Sequence, residues 1–137
     1  MLAHEYARRY TQAQVTSVDR HRLLLLVFDG GLTFLGRARE ALAGGDLPRF
    51  AEALGRAQAV IGELLGTLDH RAGGEIAAQL ARLYDFMLVH LTEANARESV
   101  THVDDVIRVL SVIAGAFREI LDRPAAATGE APLGSAA

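Results

Sequence analysis

The chain has 137 residues, half of them hydrophobic and 23% charged, the size and composition of one globular domain with little left over. Its 14 basic residues are all arginine and face 17 acidic ones, a net charge of -3, too even for the phosphate-neutralising surface on which nucleic-acid binding relies. The absence of cysteine excludes a disulfide framework and thiolate chemistry.

The longest apolar run, Leu23 to Phe28, is far short of the roughly 20 residues a spanning helix needs. Asp19, Arg20, His21 and Arg22 before it are wrong for a secretory signal, and Arg8-Arg9 leads into Tyr10-Thr11-Gln12 rather than an apolar core. A soluble cytoplasmic protein without membrane insertion is expected.

Four stretches carry helical periodicity and none alternates as a half-buried strand would. The first helix is expected to start at Asp19, whose carboxylate suits an N-cap, and to end at Gly44-Gly45, with Leu24, Phe28, Gly31, Leu35, Ala38 and Leu42 turned inward. Asp29-Gly30-Gly31 also reads as a hairpin turn after a buried strand. The apolar stripe stays in phase across the glycines and no partner strand follows, so the helix is the better reading; the two glycines suggest close approach of another backbone. Asp46 caps a second helix, with Pro48 tolerated in its first turn and Phe50, Leu54, Ala57, Ile61, Leu64 and Leu68 as its seam. After a turn from Asp69 to Gly74, a third helix carries Ile76, Leu80, Leu83, Met87, Leu91 and Ala94, and stops between Asn95 and Ser99. The fourth carries Val103, Val106, Leu110, Ile113, Phe117 and Ile120 until Pro124.

Short connections make successive helices antiparallel neighbours. The expected fold is therefore all-α, an up-down-up-down four-helix bundle over residues 19–123, with a short helical or extended N-terminal segment (1–18) and a disordered Ala/Gly/Pro/Ser tail (124–137).

Little in the sequence points to reaction chemistry. There is no Glu-x-x-His pair of the kind that builds di-iron sites, and the five histidines are scattered, expected at helix termini or turns apart from His90 in the third helix. Gly73-Gly74-Glu75 lacks the Lys and Ser/Thr of a phosphate loop and puts a carboxylate where the anion would sit. Thr16 and Ser17 have no His/Asp partners at recognisable spacing, and Asp104-Asp105 are first-turn acids of the fourth helix. No catalytic residue, metal or cofactor is assigned.

What exceeds the needs of a core is apolar surface. Leu23, Leu25, Leu26, Val27, Leu32 and Phe34 lie off the inner stripe of the first helix, and Val109, Val112 and Ala116 form a second stripe on the fourth. For the first helix a central, widely buried position explains part of the surplus. For the fourth, a groove for a partner is the better explanation.

The chain resembles the flagellar export chaperone family FliS. Gly73-Gly74-Glu75-Ile76-Ala77, Leu80, Leu83-Tyr84-Asp85-Phe86-Met87, Leu91 and Glu93-Ala94-Asn95 are similar to that family's third-helix signature. Leu23-Leu24, Leu26, Phe28-Asp29-Gly30, Phe34-Leu35 and Ala38 resemble its first helix; Gln58, Ile61, Glu63-Leu64 and Leu68-Asp69 resemble its second, with coverage from about Tyr10 to about Leu121. The chain departs from the pattern at Asp19-Arg20, where the family often has Ser-Pro, at Phe117, where it commonly has Trp, and at Ala7, where a larger aliphatic would anchor a partner.

The resemblance implies a non-enzymatic cytoplasmic chaperone. It would bind the C-terminal segment of flagellin, prevent premature polymerisation and deliver the subunit to the cytoplasmic domain of the export gate. Val109, Val112, Ala116, Leu25 and Leu32 are expected to line the flagellin groove. By the same resemblance Tyr10 and Val15 belong to an N-terminal segment that covers the bundle when free and helps engage the gate. The competing reading is a self-associating helical scaffold without flagellin specificity, and a weak homodimer is compatible with either.

Overall fold

Between Leu2 and Asp29 the sequence contains neither glycine nor proline, so nothing halts helix propagation there. In the computed structural model, which describes residues 2–123 and gives residues 6–18 by backbone alone, α1 accordingly runs from Leu2 to Ala43 without interruption. Asp19 sits inside this helix, not at its start. Its expected capping role is wrong because a cap needs a non-helical backbone, and the helix runs through this position with no glycine or proline to end it on either side. The tail at 124–137 lies outside the described residues, as do the side chains of Tyr10 and Val15.

The α1–α2 connection is fixed by local chemistry. Gly45, at φ +75°, occupies the left-handed position, the Asp46 N–H donates to Ala41 O (2.9 Å) and the Gly45 N–H to Leu42 O (3.1 Å). This pairing closes a helix end with a Schellman motif. Asp46 then turns from the end of one helix to the start of the next, its carboxylate accepting from the Arg49 N–H at 3.2 Å to open α2, Leu47–Gly66.

α3, His70–Arg97, opens on Asp69, whose carboxylate accepts from the backbone N–H groups of Arg71 and Ala72. A single turn later Gly74 breaks the helical path at φ 50°, ψ -120°, a conformation L side chains disfavour. The chain reverses at this kink: Gln58 and Thr92, which meet across α2 and α3 at 3.5 Å, lie about equally far along the chain from it. The expected turn at 69–74 is thus one helical turn plus a break. α3 ends at Glu98 in the left-handed region (φ 50°), and Ser99 opens α4, Val100–Asp122, by accepting from the His102 N–H at 3.2 Å.

α1 packs beside α2 and α4, and α3 completes the ring against the same two helices. Ion pairs Asp29–Arg118 (3.1 Å) and Arg39–Asp104 (2.6 Å) run in opposite order along α1 and α4, so the two are antiparallel. Phe28, Leu35, Phe50, Leu54, Ile61, Met87, Leu91, Leu110 and Phe117 form a core from which solvent is excluded, with Phe28 and Phe117 tilted at 45° and 5.2 Å between centroids. Five of the expected α2 seam residues are buried within the helix, and the sixth, Leu68, is buried just beyond its end. Gly31 is a point of close approach between α1 and its neighbours: a Cβ there would lie 3.2 Å from Val60 Cγ1 and 3.3 Å from Leu110 Cδ2. The close approach is therefore by side chains rather than by a backbone, and only at the second of the two glycines.

The seam of α3 differs from expectation. Ala77 and Tyr84 are buried, while Ile76 and Leu83 are 41% and 39% exposed. Two apolar stripes share Leu80, Met87, Leu91 and Ala94. The one with small Ala77 and planar Tyr84 packs inward, and the branched pair is turned to the flank. Leu24, Leu42 and Ile120 are partly rather than fully buried.

Candidate partner-binding surface

The displaced apolar residues of α3 are not scattered. Ile76, Leu83, Phe86 and His90 fall at helical spacing on one flank, as do His102, Asp105, Val109, Val112 and Ala116 on α4. His90 Nε2 meets Asp105 Oδ2 at 3.0 Å and the His90 ring lies 4.3 Å from that of His102, which fixes the antiparallel register and turns the two rows toward one groove. Phe86 (47% exposed) stacks on His90 at 4.9 Å, and Val112 is 70% exposed. The surface between these two rows, the α3–α4 groove, is apolar at Ile76, Leu83, Phe86, Val109 and Val112 and polar at the α3–α4 turn.

That polar end is cross-linked by hydrogen bonds. Ser99 Oγ accepts from the backbone N–H of His102, and at 2.7 Å it stands against His102 Nδ1, to which its hydroxyl proton is free to donate. The His90 hydrogen bond, with Arg108 and His102 adding charge, holds the Asp105 carboxyl below the usual carboxylate range despite opposing desolvation. The two imidazoles lie against one another, tilted by 30° with centroids 4.3 Å apart. Among the described residues no group of three His, Asp or Glu is arranged to hold a metal ion.

The α1–α4 flank is built differently. Leu25 and Leu32 are half-buried and packed against the core, one on each side of the surface ion pair Asp29–Arg118, with Arg39–Asp104 further along. The Asp104 hydrogen bond and charge push the Arg39 guanidinium above its ordinary range. Val109 also packs against the core and Ala116 is half-buried. Val112 stands on the crest of α4, and also borders a shallow depression with Arg39 and Asp104. The five described residues singled out from the sequence therefore lie on both sides of α4 rather than in a single groove. Ile76, Leu83 and Phe86 were missed as surface residues, although the doubled apolar stripe of α3 was the available signal.

Two further clefts lie between α1 and α2. One of about 240 Å³ is lined by Leu23, Leu24, Val27 and Leu64, with Arg20 and Glu63 on its rim. The other, about 640 Å³, sits by the α1–α2 turn, where Arg37 and Arg56 hold their guanidiniums 5.6 and 5.8 Å from the centre of the Phe34 ring. Its arginines Arg37, Arg49 and Arg56 are matched in number by Glu40, Asp46 and Glu52, so it offers no net field for a charged ligand.

A closed apolar core with large apolar side chains left exposed on α3 and α4 is the make-up of an all-α docking scaffold rather than of a reaction centre. The profile of the family described as flagellar protein FliS matches residues 2–124. The flagellar secretion chaperone FliS of Salmonella typhimurium is 39% identical over 116 residues, 84% of this chain and 86% of that relative. FliSB of Pseudomonas aeruginosa is 37% identical over 106 residues (77% and 84%), and FliS of Bacillus subtilis is 31% identical over 97 (71% of each). The chain belongs to the FliS family.

Proposed function

We propose that this chain is a flagellar secretion chaperone that binds the C-terminal segment of flagellin in the cytoplasm, keeps it from assembling early, and delivers it to the cytoplasmic domain of the export gate. The observation that carries the reading is the pair of apolar rows on α3 and α4, open to solvent on an otherwise well-packed bundle whose relatives are secretion chaperones. An amphipathic segment, disordered when free, would fold as it buries its apolar face in the groove, offsetting its ordering entropy. Phe86, Leu83 and Ile76 form one wall, Val109 and Ala116 the other, with Val112 on the crest. A segment draped over α4 also reaches the flank of Leu25 and Leu32. Tyr10 and Val15 belong to the N-terminal part of α1 that contacts the gate once flagellin is bound. The mechanism is masking of apolar surface, which requires no catalytic step.

Calorimetric titration with a synthetic flagellin C-terminal segment tests this. Saturable one-to-one binding with a negative heat-capacity change is expected, and Val112→Asp should weaken it about 100-fold or more without altering the melt, because a carboxylate would be desolvated in the interface. A folded Val112→Asp chain that binds normally would remove Val112 and its row from the site. Gel filtration with and without the segment separates this use of the groove from a weak homodimer. Deleting residues 1–16 should weaken gate binding by the loaded chaperone; unchanged binding to both partners would refute the role given to Tyr10 and Val15.

A further inference from the structure

The two apolar rows of the groove start from one tie. His90 Nε2 stands 3.0 Å from Asp105 Oδ2, and because a carboxylate only accepts, the imidazole nitrogen carries the hydrogen. Away from that tie the antiparallel helices α3 and α4 advance by the same rise per residue. Phe86 and Val109, each four residues from it, therefore stand at matching levels, as do Leu83 and Val112, each seven residues away. The His90 ring also backs the Phe86 ring, with 4.9 Å between centroids and 26° between planes. From these contacts we infer that His90 is a positioning residue of the groove: anchored to α4 through Asp105, it holds the Phe86 ring in one place across from Val109, where the ring receives an apolar side chain of the flagellin segment.

Phe86 needs such a support because it is 47% exposed. An aromatic side chain that far out of the core is free to change rotamer, and fixing it at the moment of binding opposes binding. The spacing of four residues brings the Phe86 and His90 rings together on one helix face, but a pair carried by a single helix fixes nothing relative to the other wall. His90 does so because it is held from α4. Among the described residues its bond to Asp105 is the one side-chain hydrogen bond between α3 and α4. Asp105 is steadied in turn by Arg108 at 3.3 Å, and the His102 ring lies 4.3 Å from the His90 ring. The residue type matches the task. Imidazole offers a flat face to the phenyl ring and a donor in its plane to the carboxylate, whereas leucine would pack without reaching α4. With 21% of its side chain exposed, His90 has little surface of its own to give a ligand, so its effect passes through the ring it backs.

The inference rests on the groove being the flagellin site, and a double-mutant cycle at one fixed pH keeps the two apart. Affinity for the synthetic flagellin C-terminal segment would be measured by calorimetry for the full chain, His90→Ala, Phe86→Ala and the two substitutions together. His90→Ala should weaken binding about fivefold, the effect of having to order one released side chain. On top of Phe86→Ala the same substitution should change affinity less than about twofold, because nothing is left to position. His90→Gln, whose amide nitrogen takes the place of Nε2 toward Asp105 and whose flat amide can lie on the phenyl ring, should recover most of the loss. Equal effects of His90→Ala with and without Phe86, or no effect in the unmodified chain, overturn the inference. If His90→Ala does not fold, Asp105→Ala removes the same tie from the side of α4 and is put through the same cycle. If the segment binds none of these chains the chaperone reading fails, and the positioning role is judged on the three-bond couplings across Phe86 χ1. One rotamer in the unmodified chain and averaging in His90→Ala sustain it; the same rotamer distribution in both overturns it.

Discussion

Tyr84 is fully buried on α3, and its hydroxyl finds no hydrogen-bond partner among the described residues. An unpaired buried hydroxyl costs about 1–3 kcal/mol relative to its hydration in the unfolded chain. Tyr84→Phe keeps the ring and its packing and deletes only the oxygen, leaving a gap smaller than a methyl group. The substitution should therefore stabilise the protein by about 1 kcal/mol, a rise in melting temperature of about 3–5 °C for a domain of this size. Equilibrium urea unfolding would show a higher midpoint at unchanged slope. The same residue has an alkaline signature. Burial pushes the Tyr84 phenol above its ordinary range, whereas in the unfolded chain it ionises near pH 10. Above about pH 10 the folded state thus holds a proton that the unfolded state releases, so stability present below that pH is lost as pH rises, by about 1.4 kcal/mol per unit. Because the chain has no lysine or cysteine and only three tyrosines, few other side chains titrate there. Tyr84→Phe should remove most of this slope. If the variant is instead less stable by more than about 0.5 kcal/mol, the hydroxyl has a partner, such as an internal water, and the reasoning fails.

Three further substitutions probe the fold and the groove. Gly31→Val puts branched atoms against Val60 and Leu110, where even a Cβ would be at 3.2 and 3.3 Å. It should destabilise by about 1–3 kcal/mol in chemical denaturation, and a neutral result would mean α1 can shift freely. Gly74→Ala forces a Cβ onto a backbone at φ 50°, ψ -120° and should cost about 1–2 kcal/mol, although nothing crowds the position; equal melts would show that the kink relaxes into helix. Asp105→Asn tests the polar end of the groove: the Asp105 carboxyl is held below its usual range, chiefly by the His90 hydrogen bond. Its contribution is present above the unfolded value near 4 and lost as pH falls through the lower folded value. The variant should be less stable than the unmodified chain at neutral pH and match it in strong acid, and a gap independent of pH would assign the effect to packing.

Much of this molecule is legible without coordinates. Asp46 and the glycines before it mark a helix boundary because capping is local: the bonds that close α1 and open α2 span at most five residues. The seams of α2 and α4 were readable because each helix has one dominant apolar stripe. α1 was legible too, yet its beginning was misplaced: Asp19 has a capping side chain, but a cap acts only where the helix ends, and no glycine or proline ends it there. The family is carried by side-chain identities at fixed spacing, and so by sequence alone.

Tertiary structure decided what the local pattern left degenerate. On α3 the stripes through Ile76 and Leu83 and through Ala77 and Tyr84 are both apolar and adjacent on the helix. Burying one depends on the space that α2 and α4 leave between them, a quantity no window of sequence contains. The choice also creates the groove, because the stripe left outside becomes its wall beside Val109 and Val112. The contact between His90 and His102 is likewise tertiary: they meet because Glu98 takes the left-handed conformation and Ser99 restarts the helix at once, a turn that brings the two rings to 4.3 Å between centroids. Sequence determines the helices and the lineage through short-range chemistry; the surface and its polar end exist only once the helices have chosen their faces.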